Sequence, residues 1–298
     1  MKTLFNILFS VVLGAFCSAQ TALGYILKKD DVFVVKQDAK QVIVQTIDGA
    51  AHEITNNLNG ILEFRVTDTN ETNYHIAMRF KDLNLKMTSS IQGELMNVRA
   101  KEVIEDDLQS KIFNSLLDVP VALTLAKNGD IVTISGGDSL ITKMVQASGI
   151  ADDFQMNMMK KGLEKEFGSQ ALSDSYEQMT YIYPQNEVAI GDSWENEYTG
   201  KLNAKNKWTL EAISEENTTI SGTAKVVMHV VDEANNMKLN GTQRTRITAD
   251  RTSGFLQLMT VEGEARGTAT MAQLGDTEIP TSISSTITYK LINQYHVQ

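Results

Sequence analysis

Hydrophobic and polar positions along the chain change period twice. Tyr74, Ile76, Met78 and Phe80 alternate with His75, Ala77 and Arg79, and a period of two places one side of a strand in a core. Before them, the apolar run from Val42 to Ile47 meets Asp48-Gly49 and a second run from Ala50 to Thr55. Asp-Gly between two such runs predicts a hairpin, because both turn residues tolerate positive φ. A further strand is expected from Ile61 to Thr67, closed by the polar loop Asp68 to Asn73.

The period then becomes helical. Ile104, Leu108, Ile112 and Leu116 recur every fourth residue, with Glu105, Asp106 and Asp107 where a helix N-terminus favours anions. A strand pair around Asn128-Gly129 interrupts before Ser139 to Ser148, Asp152 to Phe167 and Gln170 to Met179 resume the pattern. Asp152 or Asp153 can cap the longest of these helices and Gly168 can end it.

Period two returns after Pro184. Strands are predicted at Trp194–Tyr198, Lys207–Ile213, Thr219–Val231, Lys238–Thr248, Phe255–Glu262, Ala265–Gln273 and Thr281–Ile292, with polar separators between them. The abundance of threonine in this half favours sheet over helix. The fold class is therefore α+β: large antiparallel β-sheets, a half-barrel or incomplete barrel, with a helical insert at about 104–180. Two weak echoes, Leu62–Tyr74 with Trp208–Ile220 and Thr124–Ile131 with Thr248–Phe255, are consistent with duplicated meanders.

The first nineteen residues read as a signal peptide: Lys2, an apolar stretch from Leu4 to Phe16, then Cys17-Ser18-Ala19. The domain organisation is thus 1–19 leader and 20–298 one β-rich domain, exported to the periplasm or beyond. Lipidation at Cys17 is the competing reading, disfavoured by the bulk of Phe16. Cys17 is the chain's only cysteine, so the remainder can form no disulfide framework and no cysteine-based zinc site. No later apolar run is long enough to span a bilayer as a helix. A net charge of −10 over 298 residues argues against nucleic acid as a partner.

Chemistry is sparse. His52, His75, His229 and His296 stand alone, without metal-ligand spacing, and His229 in its strand reads as a satisfied structural histidine. There is no Gly-x-Ser-x-Gly elbow. Ser135-Gly136-Gly137-Asp138-Ser139 has the look of a phosphate loop but lacks the Lys-Ser/Thr ending, so a capped helix start explains it better. The pairs Asp30-Asp31, Asp106-Asp107, Asp152-Asp153 and Glu215-Glu216 lack the alternating spacing that wraps calcium. No cofactor and no metal are expected. An enzyme is the less favoured reading, because no activated nucleophile or base stands out.

Methionine carries the remaining signal. Met144, Met156, Met158, Met159 and Met179 fall in the helical insert, and methionine suits apolar surfaces that adapt to varied ligands. Ordinary helix-to-sheet core is the plainer explanation, since Leu163 and Phe167 continue the stripe. If a cavity lies between helices and sheet, Met144, Met156, Met159, Leu163, Phe167 and Met179 are its expected lining.

The stretch containing Tyr183-Pro184, Val188, Gly191-Asp192 and Trp194 resembles a junction of an uncharacterised secreted family of Bacteroidota, a domain of unknown function. The opening around Tyr25, the Lys165-to-Ser169 stretch and the close around Ser285 fit the same pattern. Physically the junction is a joint: Pro184 blocks a helix and Gly191-Asp192 turns into the strand bearing Trp194. The chain also looks somewhat like half-barrel lipoprotein carriers of bacterial envelopes, an analogy of fold. Two functions are expected in order: a non-enzymatic envelope protein binding an apolar or amphipathic, lipid-like small molecule, and a structural or interaction module that docks another envelope protein.

Overall fold

A computed structural model of the chain describes residues 20–231, 235–271 and 277–297. The predicted leader with Cys17, and the end of the predicted Ala265–Gln273 strand, lie outside the described residues. In chain order the elements are β1 (Asp31–Ile47), β2 (Ala50–Thr69), β3 (Asn73–Ser89), β4 (Gly93–Arg99), α1 (Leu108–Asn114), β5 (Val121–Ala126), β6 (Ile131–Ser135), α2 (Gly137–Ala147), α3 (Asp153–Phe167) and α4 (Ser169–Thr180). After the helices come β7 (Ser193–Tyr198), β8 (Leu202–Ile213), β9 (Asn217–Val231), β10 (Asn235–Asp250), β11 (Leu256–Met271) and β12 (Ile279–His296).

All the strands join one antiparallel sheet in the order β6-β5-β3-β2-β1-β12-β11-β10-β9-β8-β7, with β4 alongside β3. The sheet is open, and it consists of two meanders. They meet where β1 pairs with β12, from Asp31 opposite His296 to Gln45 opposite Thr281. The two echoed segments fall on the β2–β3 and β8–β9 hairpins, and on the β5–β6 and β10–β11 hairpins.

Alternation decides which face is inside. Phe33 and Val35 of β1, Leu62 and Phe64 of β2, and Ile220 and Ile247 of β9 and β10 are all at most 3% exposed. Phe33 stacks on Phe255 with centroids 4.0 Å apart. On β9 the same face carries Gly222, where an added Cβ would lie 2.4 Å from the ring of Trp208. The absent side chain is what lets that indole lie flat across the neighbouring strand.

The open edges are bridged by the chain itself. α4 buries Leu172, Tyr176, Met179 and Thr180, and the residues after it run between edge strands β6 and β7. Three successive carbonyls there accept side-chain donors. Thr180 O accepts from Tyr25 Oη at 3.1 Å. Tyr181 O accepts from Asn196 Nδ2 at 2.6 Å and Tyr198 Oη at 2.9 Å. Ile182 O accepts from Trp194 Nε1 at 3.0 Å. On the other side, Tyr183 N donates to Asn128 O in the β5–β6 turn, and Tyr183 Oη donates to Gly254 O at 2.5 Å. Asn196 Oδ1 in turn accepts from Trp208 Nε1 at 2.9 Å and Asn206 Nδ2 at 3.0 Å. Pro184 holds Tyr183 extended at this point, so the segment makes a side-chain-bonded seam where a further strand would otherwise be needed.

Several sequence expectations need correction. The helix predicted from Ile104 begins only at Leu108, capped by Asp107, which accepts from Gln109 N at 2.9 Å. The peptide of Ile104 is held by Ser110 Oγ instead, and Ile104 is 58% exposed. β2 runs unbroken through Asn56–Gly60, because β1 and β3 supply backbone partners on both sides. Cross-strand amides add to this ladder: Asn56 Nδ2 donates to Gln41 Oε1 and Asn59 Nδ2 to Asp38 Oδ1. The strands predicted at Phe255–Glu262 and Ala265–Gln273 are one, β11. His229 is exposed, on the outer face with Val227 and Val231, so it is no buried structural residue.

Candidate functional site at the helix–sheet boundary

The three longer helices differ in how they meet the core. α2 buries Leu140, Ile141 and Met144, and α4 buries a full stripe. α3, although capped by Asp152 at its start and ended at Gly168, buries no side chain completely. Met156, Met159, Leu163 and Phe167 share one face of it at helical spacing and are half-buried. Three of these, Met159, Leu163 and Phe167, touch the main core. Phe167 makes edge-on contacts with Phe80 of β3 and Phe113 of α1, at 6.4 and 6.2 Å. The opposite face carries Phe154 and Met158, which are 73% and 59% exposed. α3 is thus apolar on two sides, half-buried on one and exposed on the other.

The six residues expected to line a cavity therefore separate into two groups. Met144 and Met179 are 0% and 1% exposed and lie inside the packed core. Met156, Met159, Leu163 and Phe167 lie along the boundary between α3 and that core. Below the C-terminal end of α3, a cleft of about 290 Å³ opens between α3, α4 and the β7–β8 turn, walled by Glu164, Gln170, Asp174, Gln178 and Leu202 among others. Lys201 reaches across it to Glu166 at 2.7 Å. None of the six is on its wall.

Electrostatically the boundary is quiet apart from Glu177 on α4. Partial burial, and then the nearby carboxylates Asp130 and Asp174, push its carboxyl up to about 7. Asp174, three residues earlier on α4, is the local part of this signal; Asp130 belongs to the distant β5–β6 turn and could not be read from the sequence. Burial also raises Tyr25, Tyr176, Tyr183 and Tyr198, so these phenols stay protonated, and Tyr25, Tyr183 and Tyr198 donate to the seam. Among the described residues, no three His, Cys, Asp or Glu side chains come together as a metal site. No helix among them is long and apolar enough to cross a membrane.

A family model, described as a family of unknown function (DUF6263), matches residues 71–256. The chain belongs to that family. The DUF6263 match takes in β3 to β10 with the whole helical insert and leaves out β1, β2, β12 and all of β11 past Leu256, the strands at the sheet's centre. No curated protein matches the sequence. Among solved structures, a study titled "Lipid-protein interactions in lipovitellin" describes a chain with 11% identity and a TM-score of 0.53, covering 92% of this chain and 26% of that one. The DUF6263 chain thus spans about a quarter of that protein's length, and the likeness is one of fold. An outer membrane channel from Pseudomonas putida matches at 7% identity and a TM-score of 0.25, covering 90% of this chain and 97% of the channel. That score carries no argument.

Proposed function

We propose that this DUF6263 protein is an exported, non-enzymatic component of a bacterial envelope that binds an apolar or amphipathic small molecule between α3 and the sheet-side core. The observation that carries the reading is α3 itself. Its apolar stripe of Met156, Met159, Leu163 and Phe167 faces the core, yet none of its side chains is fully buried. A helix held this weakly belongs to the low-stability end of a structure, where ligand-binding elements are found. Lifting it would open a wall of flexible side chains over Met144 and Met179, which suits chains of varied shape. The lipid contacts named for lipovitellin support the reading as an analogy between folds.

The test is protein purified from its own host and examined by native mass spectrometry before and after organic extraction. A retained small amphiphile is expected. With hexadecanoate as probe, Leu163→Ser should weaken binding at least tenfold, and Lys161→Ser on the opposite, exposed side should leave it unchanged. Purified protein free of any small molecule that also ignores hexadecanoate would overturn the reading.

A second reading, an envelope protein-interaction module, draws on the outer edge of β4. Leu95 on that strand and Ile91 in the turn before it are 39% and 64% exposed beside unpaired strand backbone. Crosslinking from Leu95→Cys in envelope extracts should capture a defined protein if this reading holds, and nothing specific otherwise.

A further inference from the structure

The inner face of the sheet continues past Leu58 and Ile287, the residues there that still pack on the main core, and its chemistry changes. Strand register places three successive rows on it across β2, β1, β12, β11, β10 and β9. The first reads Asn56, Gln41, Ser285, Gly263, Gln243 and Ala224. The second reads Ile54, Ile43, Ile283, Ala265, Gly241 and Val226. The third reads His52, Gln45, Thr281, Gly267, Leu239 and Met228. No position in these rows is Asp, Glu, Lys or Arg, and the one titratable side chain is His52. The charges of the same strands, such as Lys40, Lys225, Lys238, Glu262 and Glu264, are exposed on the outer face.

Two observations single out a site on this uncharged face. Leu239, Ala265 and Ile283 are buried and form, with half-buried Ile43, Met228 and Met237, an apolar cluster separate from the main core and made of strand residues alone. Glycines fold the sheet toward it. A Cβ added to Gly241 would lie 1.9 Å from Glu264 O, and one on Gly267 would lie 2.1 Å from Lys238 O, each on the neighbouring strand. One row away from Ile43, Asn56 Nδ2 donates to Gln41 Oε1 at 3.2 Å, while Asn56 Oδ1 is buried and accepts no hydrogen bond. An orphaned acceptor of this kind costs stability until a donor reaches it.

We infer that this face binds an uncharged amphiphile bearing a hydroxyl group, of the monoacylglycerol or fatty-alcohol class. Its hydroxyl donates to Asn56 Oδ1, and its chain lies along Ile43, Met228 and Met237 over the buried floor of Leu239, Ala265 and Ile283. From Gln243 to Met237 the strand runs roughly 20 Å, which accommodates an extended acyl chain, and the two methionines adapt to its shape. Selectivity follows from what the rows offer and lack. An ionised carboxylate headgroup only accepts hydrogen bonds, so it leaves Asn56 Oδ1 unmet, and it finds no cationic Lys or Arg in the three rows. An ammonium headgroup finds no carboxylate there. A charge left unpaired on so apolar a face is expensive. The site consists of sheet residues and does not rest on the reading at α3.

Isothermal titration of the full chain with monododecanoylglycerol, kept below its micelle concentration, tests the inference. Dodecanoate, which carries a charge, and methyl dodecanoate, which lacks a donor, are the comparison probes. Monododecanoylglycerol should bind, and Leu163→Ser should leave that binding unchanged. In the Leu163→Ser protein both comparison probes should bind at least tenfold more weakly. Met228→Gln should weaken monododecanoylglycerol binding at least tenfold, whereas Val227→Gln, next to it on the outer face, should change nothing. Asn56→Leu keeps the bulk and removes the acceptor, so it should weaken monododecanoylglycerol at least tenfold and leave methyl dodecanoate unaffected, a split that misfolding does not produce. Protein that ignores hexadecanoate yet binds monododecanoylglycerol would sink the α3 reading and support this one. Absence of monododecanoylglycerol binding, equally tight dodecanoate binding by the Leu163→Ser protein, or an unaffected Asn56→Leu variant would overturn the inference.

Discussion

Replacing Asn196 by Ala should show how much the seam contributes to stability. The side chain accepts from Trp208 Nε1 and Asn206 Nδ2 and donates to Tyr181 O. Trp208 and Asn206 are 1% and 6% exposed, so water cannot replace the lost acceptor without entering the core. Each orphaned buried donor costs about 1–3 kcal/mol. Tyr181 O keeps its bond from Tyr198 and adds little. The loss should therefore be roughly 3 kcal/mol, with about 6 kcal/mol as a ceiling. At about 2–4 °C per kcal/mol for a large domain, the midpoint should fall by roughly 6–12 °C. Urea unfolding followed by tryptophan fluorescence reads this directly, because Trp194 and Trp208 both bond into the network. Asn240→Ala, on the exposed face of β10, should stay within about 0.5 kcal/mol of the parent. If Asn196→Ala lost less than about 1 kcal/mol, the seam would contribute nothing beyond ordinary loop packing.

Gly222→Ala should cost about 1–3 kcal/mol by pressing on the Trp208 ring, and a changed near-ultraviolet signal should accompany the loss. Glu177 is favoured in its neutral form by folding, so its contribution is present in full at low pH and is lost as pH rises from the ordinary carboxyl range through about 7. Glu177→Gln should flatten that part of the stability profile, and an unchanged profile would exclude Glu177 as its source.

Much of the sheet was legible because period two is a local signal. The Asp48-Gly49 hairpin forms as expected, with positive φ at both residues. The α3 cap at Asp152 and end at Gly168 were equally readable from capping chemistry. What stayed hidden was set by distant partners. Asn56–Gly60 reads as a break, yet it is strand because β1 and β3 clamp it on both sides. Ile104 fits a helical stripe, yet Ser110 draws its peptide out of the helix. The methionine stripe marked the insert as apolar without separating Met144 and Met179 in the core from Met156 and Met159 at its margin.

The pairing of β1 with β12 also governs the order in which the chain can fold. The strand that starts at Asp31 waits for a neighbour that ends at His296, and each meander lacks its central partner until both are present. During synthesis the first meander must persist with a long open edge while the rest of the chain is made. Such non-local closure is slow, and the waiting edge is prone to pairing with other chains. A truncation just before Ile279 would leave β1 and β11 as two permanent edges, and self-association should exceed that of any equal-length loss at an outer strand. The eighteen-residue β12 is thus a keystone, and its arrival between β1 and β11 is the event that joins the two meanders into one sheet.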